Sequence, residues 1–135
     1  MGTRLTHVAL HVGSMDACIG FYQRYCNLEI TDDQERGGRR VVLMAEPGRG
    51  ANFVLQLLAG GTDKAPTPEE DQHLGFAADS REEVDRLAAM AADDDILLLE
   101  PFEGPFPVGY IFAVNDPNGN TVEISFGHLL ESEVR

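Results

Sequence analysis

The sequence has 135 residues, 43% of them hydrophobic and 24% charged, which is enough for one domain with a core of its own. Its net charge of −13 argues against nucleic acid and anionic membranes as partners, because both repel an acidic surface. No apolar run reaches the roughly 20 residues that span a bilayer. On a helix Cys18 and Cys26 would lie about 12 Å apart, too far for a disulfide. We therefore expect thiols in a reducing, cytoplasmic setting.

In chain order, the first predicted strand and helix recur later in the sequence. The segments "HVALHVGSMDA" from His7 and "HLGFAADSREE" from His73 each begin an apolar run with a histidine and reach a serine seven residues later. Ser14 and Ser80 stand where a helix N-cap is expected, and Glu83 completes a capping-box pattern with Ser80. Apolar residues then recur at helical spacing in both segments.

Strand-like segments follow each predicted helix. The first half has "RRVVLMAE" and "NFVLQLLAG" after a Gly37–Gly38 turn, and the second has "ILLLEPF", "GYIFAV" and "TVEISFG". The motif "DPNGN" from Asp116 predicts the turn of a hairpin. Each half therefore predicts a βαβββ module, at about 4–58 and 72–126. Residues 59–71 form a Gly/Pro-rich acidic linker, and 1–135 form a single domain.

The repeat extends to polar residues within the last strand of each half. Gln56 lies 49 residues after His7, and Glu123 lies 50 residues after His73. If the halves pair about a pseudo-twofold axis, these four residues approach one cleft. His7, His73 and Glu123 would form a two-histidine, one-carboxylate set, which suits Zn, Ni, Mn, Co or Fe and leaves open positions. Gln56 is either a fourth ligand or a cleft residue, and each residue could instead be an ordinary half-buried polar one.

Two further residues are predicted to border the substrate cleft. His11 shares a strand face with His7 but lies about 13 Å further along, so one metal ion cannot hold both. It is either a polar residue at the end of the cleft or part of a dimer contact. Tyr110 ends the segment "PFEGPFPVGY", which either borders the cleft or is an ordinary loop over a sheet edge.

Together these motifs resemble the vicinal oxygen chelate superfamily, which includes glyoxalase I, extradiol dioxygenases and bleomycin-binding proteins. The resemblance rests on "THVALHV" with "FY" in the next helix, on "HLGF", and on "DPNGNTVEISFG". It implies an α+β fold of two paired βαβββ modules that form a curved mixed sheet around a metal cleft. It places His7, His73 and Glu123 at metal-ligand positions and Gln56 at the fourth, with a divalent metal ion as cofactor.

The resemblance implies a glyoxalase-like enzyme with isomerase or lyase chemistry on a small substrate that chelates the metal through vicinal oxygens. Glu123 would then be the catalytic base as well as a ligand. His11 and Gly60 stand where bacterial glyoxalase I has an arginine and an asparagine, which argues against glutathione recognition. Two alternatives stay open, an Fe(II) extradiol-type dioxygenase and a non-catalytic protein that binds a small molecule such as an antibiotic. A homodimer is also expected, with sites within one chain or shared across two.

Overall fold

The computed structural model describes residues 2–48, 53–62 and 72–127, and the chain divides into two compact units, Met1–Lys64 and Ala65–Arg135. Within the described residues, each unit has the element order βαβββ. The predicted α+β class and the two βαβββ modules are therefore confirmed. Most of the predicted linker, residues 63–71, lies outside the described residues. The joining of the modules into one domain around a cleft stays a prediction.

The first unit is a four-stranded mixed sheet with one helix. Its elements are β1 (His7–Val12), α1 (Met15–Cys26), β2 (Glu29–Arg36), β3 (Arg39–Ala45) and β4 (Val54–Ala59). The strands have the order β1-β4-β3-β2, in which β1 and β4 are parallel and the other pairs are antiparallel. The edge strand β2 reads "EITDDQER" and carries no apolar alternation, so only its pairing identifies it as a strand.

The second unit repeats this topology. Its elements are β5 (His73–Ala77), α2 (Arg81–Asp93), β6 (Leu97–Glu103), β7 (Tyr110–Asn115) and β8 (Thr121–Phe126). The strands have the order β5-β8-β7-β6, with a parallel β5–β8 pair and two antiparallel pairs. The internal repeat predicted from the sequence is thus confirmed at the level of strand order and direction.

Both helices begin at the predicted serines, but the two N-caps differ. The Ser80 Oγ accepts a 3.0 Å hydrogen bond from the Glu83 backbone N–H, as a capping box requires. The Glu83 carboxylate accepts hydrogen bonds from Arg86 instead, which hold the pKa of Glu83 below its usual value. Ser14 occupies the N-cap position of α1 without a side-chain cap bond. None of the helices in the described parts of the chain is long and apolar enough to cross a membrane.

In each unit the core lies on one face of the sheet. The inner face of the second unit is covered by α2, which packs on β6, β7 and β8. Side chains alternate between faces along a strand, so Glu123, which lies between buried Val122 and Ile124, points to the other face. Gln56 lies likewise between buried Leu55 and Leu57 of the first unit. The predicted ligands therefore lie on the sheet faces opposite these buried residues.

Candidate metal centre

His73 and Glu123 are brought together by the parallel pairing of β5 and β8. The register sets His73 opposite Thr121 and Gly75 opposite Glu123, so the two side chains share a face and lie two positions apart. The His73 Nε2 lies 3.3 Å from the Glu123 Oε1. Their side chains are 40% and 30% exposed, so a solute can reach both. Two residues that the sequence separates by 50 positions thus form one contact.

The chemistry and spacing of this pair fit a divalent metal ion. Imidazole nitrogen and carboxylate oxygen bind such ions at about 2.0–2.2 Å, so two ligand atoms on one ion lie about 3–3.4 Å apart. The observed 3.3 Å falls in this range. Over the residues described for either unit by itself, no group of three or more His, Cys, Asp or Glu side chains is placed to hold a metal. Within the second unit two of the predicted ligands therefore lie in contact, and their binding of a metal stays a prediction.

The first unit places His7 and Gln56 with the same offset. His7 pairs with Val54 and Ala9 pairs with Gln56, so these side chains share a face two positions apart, as His73 and Glu123 do. The Thr6 Oγ1 lies 2.9 Å from the His7 Nδ1. A hydrogen bond there leaves Nε2 as the ring nitrogen that a metal would use. The structure assigns Gln56 neither to a metal nor to a cleft.

His11 also lies on the sheet face that carries His7 and Gln56, but further along the strand. It pairs with Leu58, two residues beyond Gln56 on β4. Its Nε2 lies 3.5 Å from the Nη1 of Arg39, which begins β3. His11 is therefore associated with an arginine within the first unit, and its predicted place at a substrate cleft stays a prediction.

Tyr110 lies on the opposite face of its sheet from Glu123. Its register partner is Phe126, three residues from Glu123, and an odd offset places two side chains on different faces. Its hydroxyl donates a 2.5 Å hydrogen bond to Asp85 of α2, which raises the pKa of Tyr110. The Arg81 guanidinium stacks 3.9 Å from its ring centroid. Within its unit Tyr110 thus supports the packing of α2, and this geometry gives no support to a role beside Glu123.

The "DPNGN" turn sets the position of Glu123. The nearly buried Asp116 carboxylate accepts 2.8 Å hydrogen bonds from the backbone N–H groups of Asn118 and Asn120. The Asp116 N–H donates to the Asn120 carbonyl at 2.8 Å and closes the hairpin. The strands then pair from Asn115 and Thr121 onward, which sets Glu123 opposite Ala113. The predicted hairpin is confirmed, and its turn fixes which face Glu123 occupies.

Two apolar residues that sequence reasoning missed share the face of Glu123. Leu99 pairs with Ala113 and Phe102 pairs with Ile111, and both partners lie on that face. Leu99 is 52% exposed and Phe102 is 45% exposed, which is unusual for apolar side chains of this size. Two register shifts in β6 set these pairings, so simple alternation along "LLLEPFE" could not have predicted them.

A comparison with known families now identifies the class of this protein. The model of the Glyoxalase/Bleomycin resistance protein/Dioxygenase superfamily matches residues 4–124, so the chain belongs to that superfamily. The resemblance drawn from the motifs is confirmed. Among individual proteins, the chain is 40% identical over 130 residues to the uncharacterized protein PA2024 of Pseudomonas aeruginosa. That match covers 96% of this chain and 93% of the relative.

Solved structures confirm the fold. The fosfomycin resistance protein FosX of Listeria monocytogenes, complexed with Mn(II) and a sulfate ion, has a TM-score of 0.73 and 17% identity over 100% of both chains. The structure of a possible glyoxalase from Bacillus cereus has a TM-score of 0.66 and 25% identity, covering 92% of this chain and 99% of that one. Both likenesses extend over nearly the whole chain.

Proposed function

We propose that this protein is a glyoxalase-like, divalent-metal enzyme with isomerase or lyase chemistry on a small substrate that chelates the metal through two neighbouring oxygens. The observation that carries the proposal is the 3.3 Å contact between the His73 Nε2 and the Glu123 Oε1. Membership of the superfamily supports metal-dependent chemistry on a small molecule. The complex of FosX with Mn(II) supports a divalent ion as the cofactor.

In this proposal His73 and Glu123 hold the metal, and His7 and Gln56 are the further ligands. Nitrogen and oxygen donors of these types accept Zn, Ni, Mn, Co or Fe. When bound, the ion polarises a substrate oxygen as a Lewis acid. The proposal for His73 and Glu123 rests on their direct contact, whereas the proposal for His7 and Gln56 rests on the matching strand register of the first unit.

Glu123 is the proposed base of the reaction. An isomerase or lyase has to remove a proton next to the substrate oxygens, and a carboxylate can accept that proton. The amide of Gln56 cannot serve as a base, so the transfer falls to Glu123. The exposed apolar side chains of Leu99 and Phe102 lie on the same face and would keep water from the substrate.

A ring-cleaving dioxygenase is the second candidate. It would need Fe(II) held by His7, His73 and Glu123 and no ligand from Gln56, whose side chain makes no hydrogen bond or ion pair within the part of the chain that the structure describes. Oxygen consumption with catechols in the presence of Fe(II) would support the dioxygenase and contradict the isomerase proposal.

Metal affinity tests the proposed centre directly. We expect the protein to bind Zn(II) or Mn(II), and His73→Ala and Glu123→Ala each to weaken that affinity by about 100-fold or more, because each removes a direct ligand. Isothermal titration calorimetry and elemental analysis measure this, and circular dichroism verifies the fold of each variant.

Glu103→Ala is the matched control for the metal titration. This carboxylate lies in the same unit but is paired with Arg81, on the face that α2 covers. We expect it to leave metal affinity within about twofold of the original protein. Unchanged metal stoichiometry in both His73→Ala and Glu123→Ala would refute the proposed metal centre. Failure of the original protein to bind any of these ions would refute the proposal that it is a divalent-metal enzyme.

A further inference from the structure

Apolar side chains follow Glu123 across the second sheet, on the same face. Glu123 pairs with Ala113, and Ala113 pairs with Leu99 on the outer strand β6. Phe102 lies further along β6 on this face, opposite Ile111. Neighbouring strands are about 4.8 Å apart, so Leu99 lies two strands, or about 10 Å, from Glu123. A carboxylate and two large apolar side chains therefore share one surface.

The first unit has polar residues at the equivalent positions of its outer strand. When the same pairings are followed there, Asp32 is the counterpart of Leu99 and Gln34 is the counterpart of Phe102. The Gln34 side-chain amide donates a hydrogen bond to the Asp32 carboxylate. The fold thus accepts polar side chains at these positions. Leucine and phenylalanine on β6 are therefore not needed to build the sheet, and their exposure calls for another explanation.

The central position of this surface also differs between the units. Ala113 of the second unit has Leu43 as its counterpart, so a short side chain stands where the first unit has a long one. Ala113 is nearly buried, whereas Leu99 on one side is 52% exposed and the Glu123 side chain on the other is 30% exposed. A short side chain between two longer ones leaves a depression in the surface. We call Leu99, Phe102 and Ala113 the apolar groove.

The apolar groove offers too little area for a stable protein interface. A buried aromatic side chain covers about 150–250 Å², so the two half-exposed side chains of the groove offer roughly 200 Å² or less. A stable interface buries about 800 Å² on each partner, and adding the exposed Leu98 and Phe106, which have no partner on β7, does not reach that area. The face beside the groove is open, because a Cβ on Gly75, next to Glu123, would meet nothing within 4 Å. A small molecule is therefore the occupant that fits.

We propose that the apolar groove receives an uncharged alkyl or aryl group of a ligand whose two neighbouring oxygens lie at the His73–Glu123 pair. Removing apolar surface from water stabilises such a complex. An anionic group would instead be repelled by Glu123 and by a chain of net charge −13. The ligand then carries its apolar group within about 10 Å of its chelating oxygens. Calling this ligand the substrate rests on the proposed function, whereas the groove itself does not.

Acetohydroxamate and benzohydroxamate test the groove, because both chelate a metal ion through two neighbouring oxygens and differ only in a methyl or a phenyl group. We expect the Zn(II)-loaded full chain to bind benzohydroxamate about tenfold or more tightly, since only the phenyl group reaches the groove. Leu99→Asp introduces the residue type of the first unit. It should reduce this preference to within about twofold and leave the affinity for acetohydroxamate unchanged. Isothermal titration calorimetry measures both affinities, and circular dichroism verifies the fold.

Two further variants complete the test. Leu98→Asp is the matched control, since it makes the same change at the neighbouring leucine, which has no partner on β7. Its preference for benzohydroxamate should stay within about twofold of that of the original protein. Ala113→Leu introduces the counterpart residue Leu43 and should exclude the phenyl group but not the methyl group. Its result decides the case if Leu99→Asp does not fold.

Three outcomes would overturn the inference. The first is an original protein that does not prefer benzohydroxamate, and the second is an equal preference in the original protein, Leu99→Asp and Ala113→Leu. The third is a dimer that dissociates in Leu99→Asp while the preference stays unchanged, which would assign the groove to a second copy of the chain. Analytical ultracentrifugation measures that dissociation.

Metal affinity measured on the same samples separates the groove from the proposed function. Metal binding without a preference that depends on Leu99 refutes the groove alone. If the original protein binds no metal, the proposed enzyme is refuted, and benzohydroxamate is titrated into the metal-free protein. Saturable NMR shifts at the backbone amides of Ala113 and Ile111 that disappear in Leu99→Asp then support the groove, and their absence overturns it.

Discussion

Gly61 and Gly20 occupy opposite environments, although both are glycines of the first unit. A Cβ on Gly61 would lie within 3.0 Å of backbone atoms of His11 and Val12, which cannot move aside as a side-chain end can. A Cβ on Gly20, inside α1, would meet nothing within 4 Å. The same added methyl group should therefore have opposite effects at the two positions.

We predict that Gly61→Ala lowers the free energy of unfolding by about 1–3 kcal/mol through overpacking. Gly20→Ala should raise it by about 0.5–1 kcal/mol, because alanine loses less backbone entropy in a helix. Urea unfolding monitored by circular dichroism measures both. Equal changes of the same sign would contradict this account of the β4 loop.

At the residue scale, the contact of His73 with Glu123 agrees with the internal repeat, and their role as metal ligands stays a prediction. His73 and Glu123 were paired through the internal repeat, and the structure brings them into contact. Tyr110 was placed beside the substrate from its Phe- and Pro-rich context alone. Within the second unit its side chain packs against α2, and its place at a substrate cleft stays a prediction. The face that Tyr110 occupies depends on the length of the hairpin turn and on the register of β7 with β8.

At the element scale, the two helices resemble each other in sequence pattern but differ at their first residue. Ser80 caps α2 through the Glu83 N–H, whereas Ser14 makes no such bond at α1. A serine in the right place predicts where a helix begins, but the rotamer and backbone of that serine decide whether its hydroxyl reaches the N–H. Both helix starts could be predicted, and the difference in capping could not.

We predict that Ser80→Ala lowers the free energy of unfolding by about 1 kcal/mol, the usual value of an N-cap hydrogen bond. Ser14→Ala is the matched variant, and its effect should be at most a few tenths of a kcal/mol because no cap bond is lost. Chemical denaturation of the two variants side by side gives the comparison. A larger loss of unfolding free energy for Ser14→Ala than for Ser80→Ala would contradict the assignment of the N-cap hydrogen bond to Ser80 and not to Ser14.

For the whole molecule, the net charge of −13 is the dominant long-range feature. Charge of one sign opposes the compact state by self-repulsion, and dissolved salt screens it. The same salt also weakens exposed ion pairs such as Arg81 with Glu103. These pairs contribute little to the stability of the fold, so weakening them should lower it only slightly. The repulsion should therefore outweigh the ion pairs in the response to salt.

We predict that the melting temperature rises when sodium chloride increases from about 20 mM to about 200 mM, over which the screening length shortens severalfold. Differential scanning calorimetry measures the shift. A fall in melting temperature with sodium chloride would mean that the ion pairs outweigh the net repulsion.

The sequence by itself determined the internal repeat, the α+β class and the hairpin at "DPNGN", whereas β2 is identified as a strand only by its pairing with β3. Apolar periodicity, capping residues and turn residues act over a few positions, so the chain carries them locally. Only the tertiary structure decided which side chains meet. The 3.3 Å contact of His73 with Glu123 and the 3.5 Å contact of Arg39 with His11 both depend on strand register. A register shift of one residue turns each side chain to the other face, and no local pattern fixes pairing between distant strands.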